Sequence, residues 1–451
     1  TISGRTDLTY GVSTAGTQTY SGGVTLVTGA NASLNSDLTS NMAAVTMSSL
    51  SVTGSGTLTG SANITVTGAF NWTIGTITTS GSGILTLSGL NNTITPTGTV
   101  TLGRQITIPS SAQLIVTPYT SGIWTYFNFT GSNGSLLNNG TIYFQPVQGN
   151  GTASYMNLGG TGTGSITNNG FIYFASLYGA GNQNGYWADF KFYPTLINNA
   201  ATISTIYGNS SVVNMFTASA TMTSGSVTDG GLVWQNNSSL TVSGSISSSW
   251  GANQDVINKV GGLLTTNATT NLYGNLVWSG GLITTAANAP LILNSQNNQI
   301  VVNTNNGAAT ISSVASPTLN GTLNIVSGAA ASLISNTYGG WTYFTLGASA
   351  VINNAGTFYI TPYNATAWGY IRIQNTSFTA QLNNTGSIIA GPLGGSGNTN
   401  GVLQIRMDAV LNNAGGTIKT YANGLTGGND TYIDIYTPTT QTARISGNSY
   451  F

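Results

Sequence analysis

Six times along this chain two consecutive asparagines stand just ahead of a β-branched or aromatic strand start. The pairs are Asn138-Asn139, Asn168-Asn169 and Asn198-Asn199 in the first half, then Asn353-Asn354, Asn383-Asn384 and Asn412-Asn413 in the second. Within each half they recur about every 30 residues, and self-similarity at such a period marks a solenoid or array of stacked repeats. The period therefore constrains the fold before any single residue does.

Helical periodicity is hard to find. Thr, Val, Ile, Tyr and Gly dominate, alternation of period two is common, and Thr101–Ile108, Thr322–Val326 and Thr357–Thr361 read as short strands bounded by turn residues. Many short strands also suit a sandwich or barrel, but the higher-order repeat argues for an all-β β-solenoid. In such a fold short strands pair in parallel about 4.8 Å apart, and inward residues form apolar columns. Asparagine recurring at one place in successive repeats can build a ladder of side-chain amides along the stack. Any single Asn-Gly is better read as an isolated hairpin turn. Six pairs at matched spacing reverse that preference and make all twelve asparagines ladder candidates. Glycine just beyond supplies backbone angles that other residues resist.

The halves also resemble each other. Gly68–Ile94 aligns without a gap to Gly274–Ile300, and Trp124-Thr125-Tyr126-Phe127 is answered by Trp341-Thr342-Tyr343-Phe344 after a slip that an insertion near 303–316 explains. The expected organisation is one continuous solenoid with an internal duplication. Residues 1–60 hold an N-terminal strand and first coils, 61–230 a first repeat block, and 231–451 a second block with a C-terminal strand.

Composition removes several functions. Of 451 residues only 8 are basic and 8 acidic, so neither a nucleic-acid footprint nor a polybasic membrane patch is expected. Histidine, glutamate and cysteine are absent, which removes disulfides, thiolate chemistry and most of the usual proton-transfer groups. No apolar run reaches the ~18 residues needed to span a bilayer, and the chain opens on Thr1 without a signal-like segment, so any secretion signal is expected to have been removed. With 40% hydrophobic residues, including 21 Tyr and 13 Phe, the chain can bury a long core rather than stay disordered.

At Asn71-Trp72-Thr73-Ile74-Gly75-Thr76-Ile77, Leu85-Thr86-Leu87-Ser88-Gly89 and Leu137-Asn138-Asn139-Gly140-Thr141-Ile142 the chain resembles the repeat regions of bacterial surface proteins. These are autotransporter passengers and filamentous-haemagglutinin-type adhesins, and the likeness covers roughly residues 60 to 425. It implies a right-handed parallel β-helix displayed outside the cell, at the cell surface, and an architecture rather than an activity.

β-Helices also house polysaccharide-degrading enzymes, which usually need paired carboxylates about 5 to 9.5 Å apart. The closest acids here are Asp430 and Asp434, read as a polar turn and strand; Asp189 with Lys191 and Arg406 with Asp408 read as surface ion pairs worth little. No catalytic residue, metal site or cofactor is expected. Trp124, Tyr126, Trp341 and Tyr343 share one side of their strands if alternation holds, opposite Phe127 and Phe344. Exposed, they could stack on sugars; a core or interface position is favoured. Sequons make Asn31, Asn63, Asn128, Asn139, Asn209, Asn237, Asn320, Asn364, Asn375 and Asn429 candidate glycosylation sites, though chance explains most of them in so Asn-, Ser- and Thr-rich a chain.

Function is then expected from the solenoid ends, whose unpaired backbone can template another chain. The strand-like termini, with Thr1, Ile2, Leu8 and Tyr10 at one end and Ile445, Tyr450 and Phe451 at the other, are the candidate assembly surfaces. The leading expectation is a secreted, non-enzymatic structural subunit that self-associates head to tail into a homopolymeric filament or sheath. The alternative is an adhesin that binds surface glycans through exposed aromatics, and a polysaccharide-degrading enzyme ranks below both.

Overall fold

The computed structural model describes residues 6–8, 12–15, 18–26, 32–35, 44–53, 55, 57–120, 122–145, 154–159, 164–174, 188–204, 211–215, 219–223, 227–229, 232–236, 239–242, 246–249, 255–258, 262–302, 316–335, 340–362, 369–391, 403–420, 431–436 and 441–446. Among these residues every regular element is a strand, and no helix is long and apolar enough to cross a membrane. The chain forms two compact units, Thr1–Val233 and Trp234–Phe451.

In the first unit each repeat from Gly75 to Ser204 contributes one strand to each of three parallel stacks, whereas before it Asn63–Trp72 is one long strand that pairs with both Ile84–Leu87 and Asn92–Ile94. Stack a runs through Ile84–Leu87, Gln105–Ile108, Ser135–Asn138, Ser165–Asn168 and Thr195–Asn198. Stack b runs through Asn92–Ile94, Gln113–Val116, Thr141–Phe144, Phe171–Phe174 and Thr202–Ser204. Stack c runs through Gly75–Thr78, Val100–Gly103, Trp124–Phe129, Ser154–Gly159 and Ala188–Phe192. This long parallel pairing, each strand bonded to its counterpart one repeat on, is compatible with a β-solenoid.

The second unit repeats the order. Its stack a holds Leu291–Leu293, Thr322–Ile325, Val351–Asn354, Gln381–Asn384 and Val410–Asn413. Its stack b holds Asn298–Val302, Ala330–Ser335, Thr357–Thr361, Ser387–Ala390 and Thr417–Thr420. Its stack c holds Thr318–Asn320, Trp341–Leu346, Gly369–Gln374, Leu403–Met407 and Thr431–Tyr436. Here alone among the described pairings the direction reverses, because Gln441–Ser446 folds back antiparallel onto Thr431–Tyr436.

Alternation of period two sends every second side chain inward, as in the buried positions of Ile142 and Phe144, and the columns are filled with aliphatic and aromatic groups. Two details show the halves packing alike. Trp72 meets Phe127 edge-on at 5.8 Å, and Trp278 meets Phe344 edge-on at 5.4 Å. Asn92 and Asn298, aligned in sequence, are both buried and donate alike. Each Nδ2 bonds the carbonyl three residues back, Gly89 at 2.6 Å or Ser295 at 2.7 Å, and one in the next repeat, Gln113 at 2.8 Å or Ala330 at 2.9 Å.

One expected strand is divided. Thr101–Ile108 breaks at Arg104, with Val100–Gly103 in stack c and Gln105–Ile108 in stack a. The alternation in sequence runs straight through the corner, but the residue just before the stack a strand is Gly83, Gly134 and Gly164 in nearby repeats. A Cβ at Gly134 would lie 2.4 Å from the Leu102 carbonyl oxygen. Arginine thus occupies a place that three of the other four stack a strands give to glycine and Thr195–Asn198 gives to Pro194.

Candidate functional site

In the first unit one inward column of stack a changes chemistry along its length. Ile108 lies in register with Asn138, which is followed by Asn168 and Asn198, and Met222 comes next. The three asparagines are fully buried. Asn138 Nδ2 donates to Asn168 Oδ1 at 2.7 Å, and Asn168 Nδ2 to Asn198 Oδ1 at 2.6 Å. The last amide, Asn198 Nδ2, closes the run on the Ala201 carbonyl at 2.7 Å. Each ladder residue also pins the a-to-b corner. Asn138 and Asn168 donate to the Phe171 and Thr202 carbonyls at 2.9 and 3.2 Å, while their Oδ1 atoms accept the Gly140 and Gly170 N–H groups at 3.1 and 3.3 Å.

A second, outer ladder runs beside it in the opposite sense. Asn169 Nδ2 donates back to Asn139 Oδ1 at 2.8 Å, and Asn199 Nδ2 back to Asn169 Oδ1 at 2.9 Å. The two side-chain chains therefore point their donors in opposite directions along the stack.

The second unit builds a like ladder from the other member of each pair, buried at Asn354 and Asn384 and exposed at Asn413. Asn354 Nδ2 donates to Asn384 Oδ1 at 2.7 Å, Asn384 Nδ2 to Asn413 Oδ1 at 2.6 Å, and Asn413 Nδ2 to the Gly416 carbonyl at 2.9 Å. The outer ladder is Asn412 to Asn383, Asn383 to Asn353, both at 2.8 Å, then Asn353 to Asn324 at 2.9 Å. In the first half the buried asparagine is the first of the pair; in the second half it is the second at Asn353-Asn354 and Asn383-Asn384, while Asn412 and Asn413 are both exposed. Asn324 was not singled out in the sequence because it has no paired neighbour; its signal is the 29-residue spacing to Asn353.

The last ladder repeat of each unit carries one extra corner residue in a left-handed conformation, Ala200 at φ 49° and Gly415 at φ 79°. Glycine holds this region without strain, whereas alanine is destabilised in it by roughly 1 kcal/mol or more. Ala200→Gly is therefore expected to stabilise the protein by about 1 kcal/mol. A raised urea midpoint at unchanged slope would show it.

The stack c surface corrects the sequence expectation for the aromatics. Trp124, Trp341 and Tyr343 are half-exposed and Tyr126 is 43% exposed, while Phe127 and Phe344 are buried. The core position goes to the phenylalanines and to Thr125 and Thr342, because only one alternation set can face inward. Outside, Trp124 packs on Tyr155 of the next repeat with ring centroids 5.0 Å apart, and Trp341 on Tyr370 at 5.4 Å. Lys191 Nζ lies over the Trp124 ring at 3.9 Å.

Arg406 and Asp408 also differ from a plain surface pair. Asp408, just past its strand, is buried and accepts Arg372 Nε at 2.5 Å on Oδ2 and Arg406 Nε at 2.8 Å on Oδ1. Asp434 is buried too, accepting Gln404 Nε2 at 3.0 Å, while Asp430 and the Asp189 side chain lie outside the described residues. Among the described residues no group of three or more His, Cys, Asp or Glu could hold a metal ion.

Of the sequon asparagines, Asn375 is a correction. It is buried, and its Nδ2 donates to the Leu346 and Gly347 carbonyls at 2.8 and 2.9 Å, so that nitrogen is not open to a glycan. Asn139 and Asn320 are exposed, Asn63 and Asn128 half-buried, and Asn31, Asn209, Asn237, Asn364 and Asn429 lie outside the described residues. Of the candidate ends, Leu8 is in register with Leu26 and Ile445 with Ile433 of its own chain. Thr1, Ile2, Tyr10, Tyr450 and Phe451 are outside the described residues. No protein-family model, no curated protein and no solved structure matches the chain.

Proposed function

We propose that this chain is a right-handed parallel β-helix serving as a secreted structural subunit, joined end to end with copies of itself into an extracellular filament or sheath. The observation that carries the reading is an open edge. Val410–Asn413 pairs on one side only among the described residues, although the chain continues past it and folds back on stack c instead. Val410 there is 44% exposed. The edge of Val410-Leu411-Asn412-Asn413 carries no charge and is a template for another strand, and near-zero net charge offers little repulsion between copies. Val410→Lys places a charge on that edge at an exposed position, without touching a buried side chain. Electron microscopy should show filaments of the parent protein and a critical concentration raised about tenfold or more in the variant. A parent that stays monodisperse in sedimentation, or a variant that assembles unchanged, would refute the proposal.

A second reading, adhesion through surface glycans, is favoured by one observation, the outward aromatic rows of stack c. Flat rings on the solvent side of a rigid sheet are suited to stacking on sugar rings.

A further inference from the structure

We infer that the outer surface of stack c in the second unit binds an acidic polysaccharide, with uronate carboxylates held by Arg372 and Arg406 and sugar rings resting on Trp341, Tyr343 and Tyr370. The inference rests on the glycan reading above and assigns it a site and a ligand class.

The strands set these groups on a grid. Trp341 is in register with Tyr370, and Tyr343 with Arg372, which is in register with Arg406 one repeat further on. The aromatic pair and the arginine pair therefore stand side by side, offset by two residues along the strand and so on the same side of it.

Formal charge understates what solvent meets. Asp408 and Asp434, the latter in register with Arg406, balance the two arginines, yet both acids are buried, with the Asp408 side chain 1% exposed against 32% for Arg372 and 29% for Arg406. The carboxylates are withdrawn from solvent while the guanidinium groups meet it, so the surface presents positive charge. Asp408 engages only the two Nε atoms, and Arg406 also lies 4.0 Å over the Tyr436 ring. Among the described residues the terminal guanidinium nitrogens have no hydrogen-bond partner, and their fork matches a carboxylate bidentately. Asp408 fixes both arginines before binding, which lowers the ordering cost on association. In a chain with 16 charged residues in 451 (8 basic plus 8 acidic), this is a concentrated and oriented positive feature beside an aromatic shelf.

The test is affinity electrophoresis of the full 451-residue chain through gels holding polygalacturonate, neutral dextran or dextran sulfate. Retardation by polygalacturonate alone is expected. Trp341→Ala should weaken it at least about fivefold, as for a packed aromatic anchor, and Arg372→Lys about tenfold, because lysine keeps the charge but loses the fork. Tyr359→Ala, half-exposed on stack b, should leave it unchanged. Thermal melts confirm that each variant folds, and Trp341→Ala leaves the Asp408 ion pairs in place should Arg372→Lys fail to fold. Equal retardation by dextran sulfate would reduce the site to general charge attraction and overturn the carboxylate assignment. Equal retardation by dextran would overturn acid selectivity while leaving the glycan reading intact. No retardation by any polymer would remove both, and polygalacturonate binding insensitive to Trp341→Ala and Arg372→Lys would place it elsewhere.

Discussion

Asn168→Leu is expected to destabilise the first unit by about 3–6 kcal/mol, whereas Asn169→Leu, one residue on, should cost under about 0.5 kcal/mol. The column tolerates an aliphatic side chain, since Ile108 and Met222 occupy it on either side of the ladder. Leucine at 168 therefore fits, and the loss is polar. It removes the acceptor of one Asn138 amide hydrogen and of the Gly170 N–H, and the donor to Asn198 Oδ1 and the Thr202 carbonyl. Each buried group left unsatisfied costs about 1–3 kcal/mol, and such costs do not simply add. The outer ladder residues can return to water when Asn169 is lost. In the second unit the order should invert, with Asn384→Leu costly and Asn383→Leu mild, because there the second asparagine is the buried one. Urea denaturation of the four variants would decide it, and equal costs within each pair would show the buried amides to be dispensable. Leucine at 138, 168 and 198 together should cost less than three single changes, since no amide is then left facing an apolar neighbour.

Arg104→Met should stabilise the protein by about 1–4 kcal/mol, an unusual gain for one substitution. Among the described residues Arg104 is fully buried without an ion pair; Nη2 donates to the Gly60 carbonyl, while Nε and Nη1 have no partner. Burial pulls its pKa below the usual arginine range to about 10, so at neutral pH the guanidinium is still charged inside the stack. The sign of the pH dependence follows. Above about pH 10 the unfolded chain holds this proton more firmly than the folded one, so the arginine's penalty is full below that pH and fades as pH rises past it. The advantage of Arg104→Met should be largest at neutral pH and shrink in strong alkali. Urea midpoints at neutral and alkaline pH would test this, and a destabilised variant would mean that Arg104 contributes more than its burial costs.

Much of the architecture was legible in the residues. Alternation gave short strands such as Thr322–Ile325 and Thr357–Thr361, and the shared Trp, Phe and Asn positions marked equivalent packing in the two halves. The misreadings came where alternation is indifferent to direction. Trp124-Thr125-Tyr126-Phe127 has two sides of similar apolarity, and sequence alone does not say which faces in; Phe127 and Thr125 do, leaving the larger rings outside. Thr101–Ile108 alternates cleanly across a corner because Arg104 sits where three of the other four stack a strands have glycine. Arg406 and Asp408 read as a local pair since their partner Arg372 is 36 residues away in sequence but one strand away in space.

By itself the sequence determined that this chain is a stack of short parallel-strand repeats: a 30-residue period, alternating apolar residues and almost no charge leave few other ways to bury so many β-branched and aromatic side chains. Which asparagine of each pair is buried was decided only by the tertiary structure. An Asn-Asn pair is symmetric as written, and its two members become different only when the strand register places Asn138 above Asn168 inside and Asn139 above Asn169 outside, then shifts that choice by one residue at Asn353-Asn354. Burial is a property of the neighbouring repeat's position, and no single repeat contains it.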